Sequence, residues 1–428
     1  MKKNKIKEWM AENVVTIFFL IMCVIAFTAS KQPLSFLVSE LFARLLRNSL
    51  MVLSLIIPVL AGVGLNFGIV LGAMAAQAGL VFVTYWKVQG LAALGAAALI
   101  CTPLAIVFGF LLGKLFNKTK GQEMITGMIA GYFANGIYQF FFLVLVGTLI
   151  PVNNPDIILV TGIGVKDTIA LEESVRGSLD NVWKVSLDKA IVFFYGAAVL
   201  FVLYGIWKAY RLKTEGREKQ ARQVLIMRLI YFAALTGCFV LCRVNETLRF
   251  AAAFCDIPMI PFFIMVVICI FMQFIIKTKL GQDFRAIGNN MRVADSAGIN
   301  VNKTRITAIM ISTVLAAWGQ LIFLQNMGNF TTYSSHEQVG TFSVAAILVG
   351  GASVKKATIK QAIIGILLFH TLFIVSPMAG KNLFNDAVYG EYFRTFISYG
   401  VIAVALVLHV SSRSKQKKKL EEENILME

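Results

Sequence analysis

Charged side chains are scarce in this 428-residue chain: 15% of positions carry one, against about 25% in a soluble domain. From Asn48 to Gly113 there is no acidic residue, and Lys87 is the single charge before Lys114. Proton- or sodium-coupled transport usually invests in intramembrane carboxylates despite their cost, so this gap disfavours ion coupling. No Gly-x-x-x-x-Gly-Lys-[Ser/Thr] loop is present, so the chain does not cradle ATP phosphates by that device. There is no nucleophile elbow and no zinc-ligand pair either. The three histidines, His336, His370 and His409, are scattered; His370 alone falls well inside an apolar run and reads as a packing residue. Cys238 and Cys242 share a helix face but have no histidine beside them. With Cys23, Cys101, Cys255 and Cys269 they read as small buried hydrophobes. No catalytic residue, metal or cofactor is expected. Any ATP hydrolysis belongs to another polypeptide.

What is abundant is apolar surface: 58% of residues and a mean hydropathy of +0.75. The apolar runs are 14–29, 49–65, 68–86, 90–113, 124–150, 190–207, 229–242, 258–276, 306–327, 341–354, 361–378 and 393–410. A helix needs about 20 residues to cross the hydrocarbon core, so 229–242 and 341–354 are too short to span alone. The expectation is an all-α polytopic membrane protein with about ten transmembrane helices plus broken or re-entrant ones. The start, Met1-Lys-Lys-Asn-Lys-Ile-Lys, resembles that of a signal peptide, but no clean cleavage site follows; the first run is taken as a retained span. Residues 31–47 read as an interfacial amphipathic helix.

A net charge of +17 invites a nucleic-acid reading, but its distribution argues topology. Basic clusters fall at Lys2–Lys7, Lys114–Lys120, Lys208–Arg228, Lys277–Arg305, Lys355–Lys360 and Arg413–Lys419. The connection Pro151–Asp188 is instead acidic, with Asp156, Asp167, Glu172, Glu173, Asp180 and Asp188. The positive-inside rule then puts the basic clusters and both termini in the cytoplasm and this loop outside, with no nucleic-acid partner. The domains expected are 1–47 (first span and interfacial helix), 48–410 (transmembrane domain) and 411–428 (cytoplasmic tail). Within the second lie an outer loop 151–188, a solvated basic hairpin 208–228 and a cytoplasmic segment 277–305.

Interrupted helices mark where a small molecule could pass, because a break frees backbone groups and dipole ends. Gly64, Gly68 and Gly72 recur every four residues around Asn66 and Phe67; this is either a flat packing ridge or a break. Phe342–Gly351 is a second short, glycine-ended piece. Uncharged polar groups add pathway candidates: Tyr132, Asn135 and Gln139 on one helical face, with Gln77, Gln320 and Asn326. Amides beside rings suit a neutral, hydroxyl-rich or heterocyclic ligand, although interhelical amide bonding explains each one singly.

Between two apolar runs lies Gly281–Val301, polar and punctuated by glycine. A bilayer span has no use for it; a soluble partner gripping the protein does. It is similar to the cytoplasmic coupling segment of permease subunits of ABC importers in the branched-chain amino acid, simple sugar and nucleoside family. The shared core is Arg285, Ala286, Gly288 and Asn290, followed by Ala294 and Gly298-Ile-Asn-Val. Gly64–Met74 resembles that family's Gly-rich broken helix, and Glu123–Ala134 the segment after it in the sugar/nucleoside branch. The chain departs from the pattern at Asn66 and Leu71, where the family often has an acid.

The resemblance implies a type II ABC importer permease-like fold and a non-catalytic subunit in a bacterial cell membrane. It implies a second permease copy or homologue, two ATP-binding ABC subunits, an extracytoplasmic substrate-binding protein and surrounding membrane lipid. Nucleosides or simple sugars are the implied cargo, with branched-chain amino acids as the alternative. A secondary transporter working without ATP is the alternative class. The coupling residues would be Arg285, Ala286, Gly288, Asn290, Arg292, Ala294 and Gly298. Gly288 and Gly298 would bracket short helices, an Ala/Ile face would enter a groove on the ATPase, and Arg285 and Arg292 would meet its acids.

Overall fold

In a bilayer every backbone N–H and C=O must be satisfied within the protein, so long apolar runs fold as helices. The computed structural model follows that rule; it describes residues 14–403 apart from 153, 217, 397, 398 and 401. Helices α1 (Val14–Ser30), α2 (Leu34–Ser54) and α3 (Ile56–Leu60) open the chain. After a coil and a 3₁₀ turn (Phe67–Ile69) come α4 (Val70–Tyr85), α5 (Gly90–Lys118) and α6 (Glu123–Phe140), the last continued by a π turn to Leu145. Then follow α7 (Leu187–Thr214), α8 (Glu218–Val244), α9 (Glu246–Ala253) and α10 (Met259–Lys277). The short α11 (Lys279–Asn289) and α12 (Met291–Ser296) precede α13 (Val301–Met327), α14 (Ser335–Val349) and α15 (Ile359–Phe384). Among the described residues nine helices are long and apolar enough to cross a membrane.

The chain divides into two compact units. One comprises residues 33–43 and 183–259. Here α7 and α8 form a helical hairpin, and β2 (Lys184–Ser186) pairs antiparallel with β3 (Asp256–Pro258) at its open end. Tyr195 stacks on Phe239 at 4.5 Å and 14°. Most other large apolar side chains of the hairpin, among them Phe193, Leu200, Trp207 and Tyr231, are exposed.

The other unit takes the remainder, and α13 is its axis, packed along α4 and α5. Glycine makes the close approach: a Cβ at Gly109 would sit 2.8 Å from Met310 Cα, and at Gly72 it would strike the Thr313 carbonyl. At about 1.5 Å per residue, α13's 27 residues span about 40 Å. One end therefore meets α11 and α12. At the other, β4 (Asn329–Thr331) pairs antiparallel with β1 (Thr168–Ala170), Ile169 opposite Phe330.

Three expectations are corrected. Residues 31–47 are not a separate interfacial helix. They belong to a continuous candidate span Leu34–Leu60, and the boundary at 47/48 falls inside α2. Glu40, Arg44 and Arg47 lower the hydropathy of that stretch. The run 229–242 is the second half of α8, whose Gln220–Leu241 stretch is long and apolar enough to cross a membrane. The basic 208–228 segment is accordingly two helix ends with a turn at Glu215 and Gly216; Arg228 donates to the Phe201 carbonyl at 2.7 Å. The last apolar run and the tail 411–428 lie largely outside the described residues. So do the side chains of Cys238 and Cys242.

Candidate functional site

At one end of α13 the chain reverses through α11 and α12. Thr278 precedes α11, and Asn290, extended at φ −157°, caps α12 by accepting from the N–H groups of Arg292 and Val293. The break therefore falls at Asn290. Gly288 lies inside α11 and serves a different purpose: its Cα packs on the Leu60 carbonyl and on Gly62. Gly62 has φ +70°, where side chains are strained, and a Cβ there would stand 2.9 Å from Gly288 Cα. Gly298 follows α12 at φ +83°.

The faces of these helices are reversed from expectation. Ile287 and Ala294 are buried at 1% and 2% exposure and form a core with Val301, against which Ala286, Met291 and Ile299 pack. The Ala/Ile face is used inside the protein because α13 starts directly beneath it. The exposed face carries Gln282, Arg285, Asn289, Arg292 and Val293. A cavity of about 500 Å³ lies between this segment, Gly62–Gly64 and Gly121–Ile125.

Beside it Arg305 donates to Glu123 at 2.5 Å, with only 1% and 6% of the two side chains exposed. The sequence reading used Glu123 only as part of a motif and Arg305 as the last member of a basic cluster. The pair joins the start of α6 to the base of α13.

Five residues beyond Gly62, Phe67 enters the wall of a second cavity, of about 320 Å³. Tyr132 and Gly131 of α6, Glu337, Gln338 and Thr341 of α14, and Tyr399 also line it. The structure thus brings Phe67 and Tyr132 to one wall, whereas the second interrupted piece, Phe342–Gly351, does not line this cavity. Asn135 and Gln77 stand behind that wall. The Asn135 amide donates to Glu337 Oε1 at 2.5 Å, and its Oδ1 lies 2.9 Å from His336 Nε2. Nδ1 of His336 lies 2.7 Å from Gln77 Oε1, to which the Tyr138 hydroxyl also donates at 3.4 Å.

A neutral imidazole has one N–H, so oxygens at both ring nitrogens cannot both be acceptors. Gln77 Nε2 has no partner among the described residues. Turning that amide over lets Nε2 donate to Nδ1 and face the Tyr138 oxygen, and both ring nitrogens of a neutral His336 are then paired. Sequence reasoning passed over His336 and Glu337 because their partners lie some two hundred positions away.

The remaining candidates sit elsewhere. Asn66 is buried beneath the break and donates to Ser312 Oγ at 3.4 Å. Gln320 is buried in α13 with neither amide atom bonded among the described residues, and it lines none of these cavities. Gln139 is half-buried one turn beyond Asn135. Asn326 is a clamp, not a lining group: it accepts from Arg47 at 3.0 Å and donates to Asp180 at 2.6 Å. Gln325 also donates to Asp180, at 2.8 Å. The acidic connection is therefore folded onto the end of α13. In the turn after β4, Tyr333 donates to the Val165 carbonyl at 2.7 Å; burial and then the Asp167 carboxylate push its phenol up to about 12.

Parts of the chain resemble known proteins. The nucleoside ABC transporter permease protein NupB of Lactococcus lactis is 28% identical over 137 residues, covering 31% of this chain and 35% of NupB. The nucleoside ABC transporter permease protein NupC of the same species is 32% identical over 118 residues, 27% of this chain and 36% of NupC. The xylose transport system permease protein XylH of Haemophilus influenzae is 27% identical over 139 residues, 32% of this chain and 35% of XylH. The chain thus spans about a third of the length of these curated relatives. No solved structure matches. The family described as branched-chain amino acid transport system / permease component matches residues 37–406. With that match running from α2 past α15, and with helices that make it a multi-pass membrane protein, the chain belongs to this family of transport permeases.

Proposed function

We propose that this chain is the membrane-spanning permease subunit of an ATP-driven importer for nucleosides or simple sugars, providing the translocation pathway and coupling it to a separate ATPase. One observation carries the reading. The polar α11–α12 segment packs through Gly288 on Gly62, and five residues later the same strand of backbone supplies Phe67 to a cavity wall. Displacement of α11 is transmitted to that wall through a backbone-to-backbone contact, which is stiffer than one made by side chains.

The positive-inside pattern places α11 and α12 in the cytoplasm, where Arg285 and Arg292 offer charge to an ATPase subunit. The 146–186 connection is then external, the side on which a substrate-binding protein delivers cargo. In the cavity, the Tyr132 and Phe67 rings suit the faces of a sugar or base, and the Glu337 carboxylate accepts from hydroxyls. Tyr132 is 67% exposed, so the cavity is open on the α6 side; a second permease subunit would close it. The relatives named for nucleosides and xylose favour that cargo class.

Gentle purification of the tagged chain from its native membrane, with mass spectrometry of what stays bound, tests the reading: a stoichiometric ATPase is expected. Arg285→Glu should then abolish substrate-stimulated ATP hydrolysis while leaving insertion and thermal stability unchanged, because the side chain is exposed. A chain that purifies alone, or transport that survives ATP depletion and collapses with an ion gradient, would sink it.

A further inference from the structure

At the closed end of the α7–α8 hairpin, cations and rings form a ladder. Arg228 of α8 sits over the Phe201 ring at 4.2 Å and the Tyr204 ring at 5.1 Å, and it donates to the Phe201 carbonyl at 2.7 Å. Tyr204 stacks on Trp207 at 5.7 Å and 30°, and Arg211 sits over Trp207 at 5.8 Å. Phe201, Tyr204, Lys208 and Arg211 recur at steps of three and four residues, hence on one face of α7. Glycine makes room for the deepest cation: a Cβ at Gly205 would strike Arg228 Cδ.

The ladder straddles an apolar boundary. The apolar run of α7 ends at Trp207 and its basic residues begin at Lys208. Arg228, alongside Phe201 and Tyr204, is inside that boundary; Lys208, Arg211, Lys213 and Arg222 lie nearer the turn and are exposed. The acids there are Glu215 and Glu218; Glu215 reaches Arg211 at 3.8 Å in an exposed pair, a weak kind of contact. Among the described residues no carboxylate pairs with Arg228. A cation at that depth is costly without an anion. Its ring contacts engage the guanidinium faces, so the N–H edge can meet phosphate oxygens, which its fork matches. Trp and Tyr settle at headgroup level, and basic clusters beside a span attract anionic lipid. Leu200, Leu203 and Leu229 around Arg228 are exposed, a surface for acyl chains and not for a soluble acidic protein.

We propose that this ladder binds the phosphate of an anionic phospholipid, with Arg228 as the innermost donor and Lys208 and Arg211 holding the headgroup from the aqueous side. The acyl chains lie along the exposed apolar side chains of α7 and α8. The positive-inside rule makes the leaflet cytoplasmic. The inference rests on the hairpin alone and not on the proposed cargo or ATPase.

The test uses the full chain, with whatever subunits accompany it, in phosphatidylcholine nanodiscs holding a small fraction of phosphatidylglycerol with a photoreactive acyl chain. After illumination, labelled peptides are mapped by mass spectrometry. Label should concentrate on residues 199–231 and be displaced by plain phosphatidylglycerol but not by added phosphatidylcholine. Lys208→Gln with Arg211→Gln, both exposed and so harmless to the fold, should lower labelling there about tenfold or more. Arg228→Gln should lower it about tenfold, and Arg228→Lys about threefold, since charge remains but the fork is lost. Arg249→Gln removes an exposed charge from α9, beyond the other end of α8, and should change nothing. If Arg228→Gln does not fold, the wild-type displacement and the Lys208/Arg211 pair decide. Label spread evenly over the spans, equal displacement by phosphatidylcholine, or labelling that survives the Lys208/Arg211 pair would overturn the proposal. So would an equal loss in Arg249→Gln. Displacement by polyglutamate in place of phosphatidylglycerol would hand this surface to an acidic protein and overturn it too.

Discussion

Glu123 and Arg305 meet as full charges with almost no exposed surface, whereas His336, Gln77 and Asn135 meet as neutral groups one residue from a cavity wall. Both clusters join helices far apart in sequence. The first sits where α6 and α13 begin, beside the segment proposed to meet an ATPase, and touches the cavity there only through Glu123. The second surrounds the first turn of α14 and ends in Glu337, which faces the Phe67–Tyr132 cavity. A charge pair locks because separating it is costly; a neutral network holds a shape while its last member remains available to a ligand. On the proposed reading, the contrast gives rigidity to the α6–α13 contact and recognition to the Phe67–Tyr132 cavity.

The largest effect should come from breaking the lock. Arg305→Met leaves Glu123 buried without its partner, at a cost of about 3–5 kcal/mol. The expected result is a steep loss of folded protein by fluorescence-detected size exclusion. Replacing both residues, Glu123→Leu with Arg305→Met, should recover most of that loss, because an apolar pair of similar volume removes the desolvation penalty. A double variant as poor as the single one would show that the arginine does more than neutralise the acid.

Glu337→Gln should do the opposite, sparing the fold and impairing recognition. The amide can still accept from Asn135, so Tm should hold within about 1 kcal/mol of stability. A bond from a charged acceptor to a substrate hydroxyl is worth about 1.5–3 kcal/mol, so the half-saturating substrate concentration should rise about tenfold or more. Equal losses in both readouts would place Glu337 with the lock. Gln77→Leu is intermediate: His336 Nδ1 loses its partner, at about 1–3 kcal/mol, and His336→Phe added to it should restore part of the stability.

These clusters also mark where the sequence stopped being legible. Apolar runs announced the helices, since a bilayer leaves the backbone few options, and Gly281–Val301 stood out because its polarity has no use inside lipid. Phe67 and Tyr132, which line one cavity, were singled out through a break and a helical face, both local patterns. Arg305 with Glu123, 182 positions apart, and Asn135 with Glu337, 202 apart, have no such signature. Neither do Arg44 and Arg47, whose charges made a spanning helix look interfacial. Spacing along a chain reports neighbours within a turn or two, and what packs across a bundle is decided by the fold. The same limit explains the reversed Ala/Ile face: amphipathicity shows which side of α11 is apolar, not whether its own protein or a partner covers it.

The smallest expected effect tests an assignment that the structure changed. Asn326 lies on α13 among the polar residues first grouped as pathway candidates, yet both of its amide atoms are engaged, one by Arg47 and one by Asp180. Asn326→Ala removes both bonds, but Asp180 keeps Gln325 at 2.8 Å. The acidic connection therefore stays anchored, and the net cost should be about 1 kcal/mol. Transport at saturating and at low substrate should be unchanged, with a small fall in Tm. If the variant instead loses affinity for cargo while its Tm is untouched, Asn326 belongs to the pathway. The recognition surface would then reach from the centre of the bundle to the β1–β4 end, and the separation between lock and cavity would have to be redrawn.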